Sequence, residues 1–228
     1  MIYTYAMHQI LRFVLRLILF LFLLSIANVV LYRYVPVPIT PLMLRNTLKA
    51  ALEGKATTFH HDWVPIEEMP SCLTYAVIAS EDQKFYQHNG FDWKEIGNAI
   101  EERKVGKRKR GGSTISQQTA KNVFTFCTST WARKAVETYY TILIEWLWPK
   151  ERILEVYLNS IEMGPQIYGA EAVAQHHFGK SASQLTRADC ALIAATLPNP
   201  KRYNSKTPSS YILRRQGDIL KQMRMMGK

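Results

Sequence analysis

From Leu17 to Tyr32 the chain carries no charged residue, and its apolar side chains fill every side of a helix rather than one face. A bilayer core needs about 20 mostly apolar residues, so residues 10–35 predict a transmembrane anchor. Arg12 and Arg16 stand at one end and Arg33 at the other, where their long stems can carry the charge to the interface. Ser25-Ile26-Ala27 makes a poor cleavage site, so the segment is expected to be retained rather than removed as a signal peptide. Residues 1–9 then read as a short cytoplasmic N-terminus. The stretch "PVPITP" at 36–41 holds three prolines and reads as an extended linker, and residues 42–63 are too mixed to assign, so 36–63 is taken as linker and domain entry.

Beyond that point the apolar spacing turns helical. Pro70 opens a helix whose Cys72, Leu73, Ala76, Val77 and Ser80 repeat at helical intervals. His88-Asn89-Gly90 is a turn, and Asp92 with Glu95 starts the next helix as a capping-box pair. "GGSTISQQTAKNVF" at 111–124 predicts a polar helix starting near Ser113. Residues 131–148 predict a long amphipathic helix stopped by Pro149, and "KERILEVYLN" a further one with Ile153, Leu154, Tyr157 and Leu158 inward. A short helix lies between glycines at 169–179, Thr186 caps another that ends at Pro198, and 208–226 is a last basic helix. Alternating β-branched runs are few and no repeat occurs. The fold class expected is mostly α, in one compact domain over 64–228.

Composition adds a partner class. The 228 residues carry a net charge of +11, and 47% are hydrophobic, enough for a real core. So basic a chain predicts an anionic partner: nucleic acid, an anionic membrane, or a phosphorylated substrate. The dense basic run at 103–110 reads as headgroup contact or as a solvated loop. Cys72, Cys127 and Cys190 are widely spaced and form no CxxC, so they supply neither a zinc motif nor a disulfide framework. Cys72 and Cys190 sit in apolar helical patterns and read as buried thiols.

The candidate chemistry is carried by acids and by polar helix faces. Glu81 ends an apolar helix, where desolvation raises a carboxyl pKa and suits it to acid–base work; it also reads as a solvated residue or a cap. Asp82 follows it, about 100° round the helix. Thr114, Gln117, Gln118 and Lys121 share one helical face, and Ser113 with the first-turn N–H groups adds anion donors. Gly112 lets a ligand approach the backbone. Arg133 and Glu137 are four residues apart on one face, in the order less favourable for a purely stabilising ion pair. Lys150 reaches toward an anion, with Glu155, Tyr157 and Asn159 on the same helix.

Together "EDQKFYQHNG", "GGSTISQQTAKN", "RKAVE" and "KERILEVYLN", in this order, resemble the successive motifs of bacterial peptidoglycan glycosyltransferases, with Ser116 where the family usually has threonine. The likeness runs from about residue 64 to 215, and the single anchor resembles the monofunctional biosynthetic form. Ser-x-x-Lys and Lys-Thr-Gly are absent, so no transpeptidase domain is expected. The resemblance implies a lysozyme-like fold with a membrane-dipping jaw at "VFTFCTSTW", residues 123–131. It implies polymerisation of lipid II by inverting transfer, forming β-1,4 bonds and releasing undecaprenyl pyrophosphate. Glu81 would be the general base and Glu137 the second acid, orienting cations or a divalent metal. Lys121, Arg133 and Lys134 would clamp the pyrophosphate, with Ser113, Thr114, Gln117, Gln118, Asn122 and Lys150 holding sugar or phosphate. Asp82, Phe85, His88, Gly112, Glu155, Tyr157 and Asn159 would support the site. No cofactor is required, with Mg or Mn left open.

The expected partners are lipid II, the growing strand and the bilayer, with cell-wall synthesis or division proteins left open. The expected location is the bacterial inner membrane, catalytic domain on the periplasmic face. An alternative is a lysozyme-like muramidase or lytic transglycosylase, which needs no cation clamp but usually a second carboxylate at its cleft. RNA-reading and zinc-finger signatures are missing, so nucleic acid is not an expected partner.

Overall fold

The computed structural model describes residues 2–104, 112–126 and 131–226. The chain divides into two units, Met1–Pro36 and Val37–Lys228. The first is one helix, α1 (Ile2–Tyr34), which begins well before residue 10 and absorbs most of the expected cytoplasmic N-terminus. Its segment Met7–Tyr34 is long and apolar enough to cross a membrane. At 1.5 Å per residue those 28 residues reach about 42 Å.

The second unit starts with a helix where the sequence pattern suggests linker. In α2 (Pro41–Leu52), Thr40 is the cap, its hydroxyl accepting from Met43 N (3.2 Å), and Pro41 takes the first turn, where a missing N–H costs nothing. Asn46 of α2 donates to Glu162 (3.1 Å) and to the Tyr168 hydroxyl (2.8 Å), and so joins the helix to a small sheet. That sheet was also unforeseen. It has β1 (His60–His61), β2 (Glu162–Gly164) and β3 (Ile167–Tyr168) in the order β1-β3-β2, with β1–β3 parallel and β2–β3 antiparallel around a register irregularity. Strands of two or three residues hold no alternating pattern to read.

The helices follow the expected spacing: α3 (Ser71–Glu81), α4 (Trp93–Lys104), α5 (Ile115–Phe124), α6 (Trp131–Leu147), α7 (Lys150–Ser160), α8 (Ala170–Val173), α9 (Arg187–Thr196) and α10 (Ser210–Met225). Thr186 caps α9 as expected, accepting from Asp189 N. α8 runs on into a wide π-type turn over Ala174–Phe178. Two packing groups position the site. In one, α3, α9 and α10 pack on one another; in the other, α5 lies against α6, α7 and α2. Leu73, Ile115, Ile144, Ile153, Leu154, Leu158 and Ile193 are fully buried within them, each contributing roughly 1.5–3 kcal/mol.

Gly169 marks a close approach. Its φ is +85°, and a Cβ there would lie 2.6 Å from the Asn159 carbonyl oxygen. Cys190 is a buried free thiol, as expected, and Cys72 a half-buried one, with their sulfurs 2.7 Å apart across α3 and α9. Cys127 and residues 105–110 of the basic run lie outside the described residues, as do residues 127–130 of the expected jaw.

Candidate active site

α5 is a polar helix that is mostly buried: Ser116, Gln117, Thr119 and Asn122 are all 4% exposed or less. Buried polar groups need partners, and these partners organise the site. Thr119 Oγ1 donates to Ile115 O (2.9 Å) within the helix, and Ser116 donates to Glu145 of α6. Gln118, only half-buried, turns the other way: its Nε2 donates to Glu81 Oε2 over 3.0 Å. The fully buried Tyr157 of α7 lies 3.4 Å from Gln118 Oε1, so the amide is held at both ends.

Glu81 therefore sits at the end of α3 against α5. Desolvation raises its pKa; the hydrogen bond from Gln118 and the positive charges of Arg215 and Lys121 pull the other way. Ser80 adds to this pull, its hydroxyl 3.4 Å from Glu81 Oε1 while it accepts from Arg215 Nη2 (3.1 Å). A carboxylate whose proton affinity is raised in this way suits a general base near neutral pH. A recess of about 330 Å³ opens beside it, walled by Ser80, Glu81, Asp82, Lys84, Ser113 and Thr114 among others.

Asp82, 8% exposed, builds the wall. Its Oδ2 accepts the Ile115 amide at the N-terminus of α5 (3.0 Å), and both oxygens face His88 Nε2 (2.9 and 3.0 Å). Gly90 N donates to His88 Nδ1 (3.1 Å), so Nε2 carries the hydrogen and donates to Asp82. Gly90, at φ +87°, has room for no side chain: a Cβ would sit 2.9 Å from Thr141 Cγ2.

These bonds correct part of the sequence reading. The first-turn N–H groups of α5 were expected to greet a ligand anion; Asp82 already fills one of them. Thr114 and Gln117 form a reciprocal capping box: Thr114 Oγ1 accepts from Gln117 N (3.1 Å), and Gln117 Oε1 accepts from Thr114 N (3.0 Å). Thr114 Oγ1 also donates to Gly90 O (2.7 Å). Both side chains are 3% exposed and serve the helix end, so the expected four-residue polar face reduces to Gln118 and Lys121. Ser113 remains exposed on the recess. Gly112 answers no spatial demand, since a Cβ there meets only ordinary contacts.

Lys150 was expected on a phosphate. Its ammonium instead donates to Glu145 and to His88 O (2.7 Å each) and lies 4.6 Å from the centre of the buried Phe85 ring. Glu155 accepts from Arg152 (2.7 Å), and Asn159 is committed to both backbone groups of Val64 (2.9 Å each) rather than to a ligand.

One turn beyond Gln118, Lys121 enters a cationic group. Burial pushes its pKa down; Glu137 pushes it up, and Arg133, Arg45 and Lys134 push it further down. Glu137, 2% exposed, takes Arg133 on one carboxylate oxygen and Lys134 on the other. Both oxygens are held by cations, and no group of three acidic, His or Cys side chains gathers among the described residues. Glu137 so placed does not fit a divalent cation. Asn122, which follows Lys121 on α5, is buried. Sequence reasoning missed Arg45, Arg215 and Glu145, which carry no motif and arrive from distant elements.

The whole site can thus take a proton at Glu81 and hold negative charge one helical turn away. Comparison with known proteins bears on the same reading. The family model described as Transglycosylase matches residues 47–224. The chain is similar to the biosynthetic peptidoglycan transglycosylase of Bacteroides thetaiotaomicron, 52% identical over 220 residues covering 96% of this chain and 89% of that protein. The protein of the same name from Pasteurella multocida is 49% identical over 95% of this chain and 86% of its own length. That from Bdellovibrio bacteriovorus is 48% identical over 92% and 84%.

Proposed function

The chain belongs to the transglycosylase family of peptidoglycan glycosyltransferases, and from that premise we propose that it polymerises lipid II into linear glycan strands. Glu81 takes the proton from the 4-hydroxyl of the acceptor's N-acetylglucosamine. The freed oxygen attacks C1 of the donor's N-acetylmuramic acid from the face opposite the pyrophosphate. The bond to the pyrophosphate breaks, the anomeric centre inverts to a β-1,4 linkage, and undecaprenyl pyrophosphate departs.

Negative charge grows on the leaving group as that bond lengthens. Fixed cations aimed at developing charge lower the barrier more than they tighten ground-state binding. Lys121 supplies one such cation, with Arg133, Lys134 and Arg45 around it. Glu137 holds Arg133 and Lys134 in place from its buried position. Gln118 fixes the Glu81 carboxylate through Oε2, and the Ser80 hydroxyl stands 3.4 Å from Oε1. No step needs a metal.

A lipid-linked substrate keeps the enzyme at the bilayer. The apolar α1 suits a single-pass anchor in the bacterial inner membrane, with the catalytic unit on the periplasmic face, where the polymer is laid down.

The observation that carries this reading is the link from Glu81 through Gln118 to the cationic group at Lys121. Hydrolysis of a neutral glycan has no use for that group. The test is incubation of the purified full chain with labelled lipid II in detergent. Polymer that disappears with a phosphoglycolipid inhibitor of the moenomycin type is the expected result. Fragments released from sacculi with no polymer from lipid II would establish the cleaving alternative instead.

A further inference from the structure

We propose that Cys72 and Cys190 form a closing dithiol, oxidised to an intrachain disulfide that ties α3 to α9. Their sulfurs are 2.7 Å apart, much closer than two unbonded sulfur atoms rest. The pairing spans 118 residues of sequence and joins two helices that already pack face to face. Both side chains reach the same point without leaving their helices: Cys72 lies in the first turn of α3, and Cys190 in the first turn of α9. The remaining partner of Cys72 is the Leu185 carbonyl, 3.8 Å from its sulfur, just before the α9 cap.

Accessibility divides the roles. Cys72 is half-exposed, and Cys190 is fully buried behind it. The contact with Cys190 brings the Cys72 thiol down to about 7, while the Cys72 contact and then burial push Cys190 up. Cys72 is therefore the thiolate that meets an external oxidant, and Cys190 the one that resolves. The oxidant is a disulfide-bearing molecule, R–S–S–R. Cys72 as thiolate attacks one of its sulfurs, forms a mixed disulfide and expels the first R–S⁻. Cys190 then gives up its proton and attacks the Cys72 sulfur, expelling the second R–S⁻. The dithiol has lost two electrons and two protons, and the external disulfide has been reduced to two thiols.

The consequence is for stability. α3 ends in Glu81, and the bond anchors its first turn. A cross-link closing so long a loop restricts the unfolded chain strongly, so oxidation raises the thermal midpoint by roughly 5–10 °C. It leaves the bonds of Glu81 to Gln118 unchanged.

Oxidation inside cells rests on the periplasmic placement proposed above, since disulfides persist in oxidising compartments. The experiment keeps the two claims apart. Purified full-length Cys127→Ser protein, in detergent, is treated with oxidised glutathione, alkylated and digested, with and without dithiothreitol. A single cross-linked peptide containing Cys72 and Cys190, reversed by dithiothreitol and accompanied by the rise in midpoint, is the expected result. The Cys72→Ser variant, run in parallel, should lose both the peptide and the rise. Two thiols that stay fully alkylated after the glutathione treatment overturn the proposal. Protein trapped with acid directly from cells reports the placement: the cross-link there supports a periplasmic domain. Formation in the tube but not in cells leaves the pairing standing and removes the compartment instead.

Discussion

Gln118 Nε2 donates to Glu81 Oε2 over 3.0 Å, so the last residue of α3 is held by the middle of α5. The bond orients the carboxylate while desolvation keeps its proton affinity above the ordinary carboxylate range. Glu81→Gln preserves the shape and the new amide can still accept from Gln118, but it removes the base. Polymerisation should fall by at least about 100-fold with membrane association unchanged. The sign for stability is opposite. A carboxyl whose folded pKa is raised favours the folded state at pH below its unfolded value, and that contribution is lost as pH rises through the raised value. At neutral pH the Glu81→Gln variant, with an uncharged amide in that place, should therefore melt no lower than wild type. Near-wild-type polymer formation, measured with labelled lipid II, rules out the base assignment.

Arg215 reaches the same carboxylate through Ser80 and through space. Its charge lowers the Glu81 pKa, so Arg215→Ala should raise it further. The acid limb of the kcat profile then moves to higher pH, and activity at neutral pH drops on the order of tenfold. Arg215→Lys should restore much of the position of the limb. A uniform loss across the pH range, with the limb where it was, assigns Arg215 to packing between α10 and α3 alone.

The sequence spelled out the helices and the motif-bearing acids because periodicity and short local patterns are properties of neighbouring residues. It was silent on Arg45, Arg215 and Glu145, whose roles arise only when α2, α10 and α6 meet the others. The Thr40-Pro41 pair was a readable helix start, obscured by Pro36 and Pro38 just before it. The polar face of α5 was misapportioned for a different reason. Thr114 and Gln117 satisfy each other, and spacing alone does not say whether a polar side chain meets a ligand or its own helix end.

That distinction is measurable at neighbouring positions. Thr114→Ala removes a cap and a bond to Gly90, and should cost about 1–2 kcal/mol in urea unfolding. Thr114→Ser should recover most of it. Ser113→Ala, on an exposed residue of the recess, should change stability by less than about 0.5 kcal/mol. If Ser113 touches substrate, its loss appears in KM or kcat alone. Equal unfolding losses for the two alanine variants contradict the assignment of the cap.

Asp82 combines burial with two charged hydrogen bonds, to the Ile115 amide and to His88. Asp82→Asn keeps the shape but gives up the negative charge at the start of α5 and presents an NH₂ group to one of two donors. A loss of about 2–3 kcal/mol follows from the strength of charge-assisted bonds. Since the same side chain forms the recess wall, activity should fall with it. Measuring both on one preparation checks the link: a variant as stable as wild type means that the charge does not hold α5.

The cationic group makes a prediction on the other side of neutrality. Lys121 is pulled down by burial and by Arg133, Arg45 and Lys134, and pushed up by Glu137. A lysine that must be charged to meet a leaving pyrophosphate stops working as pH rises through its lowered value. The alkaline limb of kcat should therefore lie below the ordinary lysine range. Glu137→Gln withdraws the one stabilising charge among these neighbours, so that limb should move lower still. Lys121→Arg replaces the ammonium with a guanidinium that stays charged, and the limb should disappear even if the new geometry slows turnover at neutral pH. Lys121→Ala should lower kcat by about 100-fold or more while acceptor affinity changes little, since the lost contact strengthens as the bond to the pyrophosphate breaks. The readout is initial polymerisation rate against pH for the four proteins. An alkaline limb that Lys121→Arg leaves in place belongs to another group, and the leaving-group role of Lys121 goes with it.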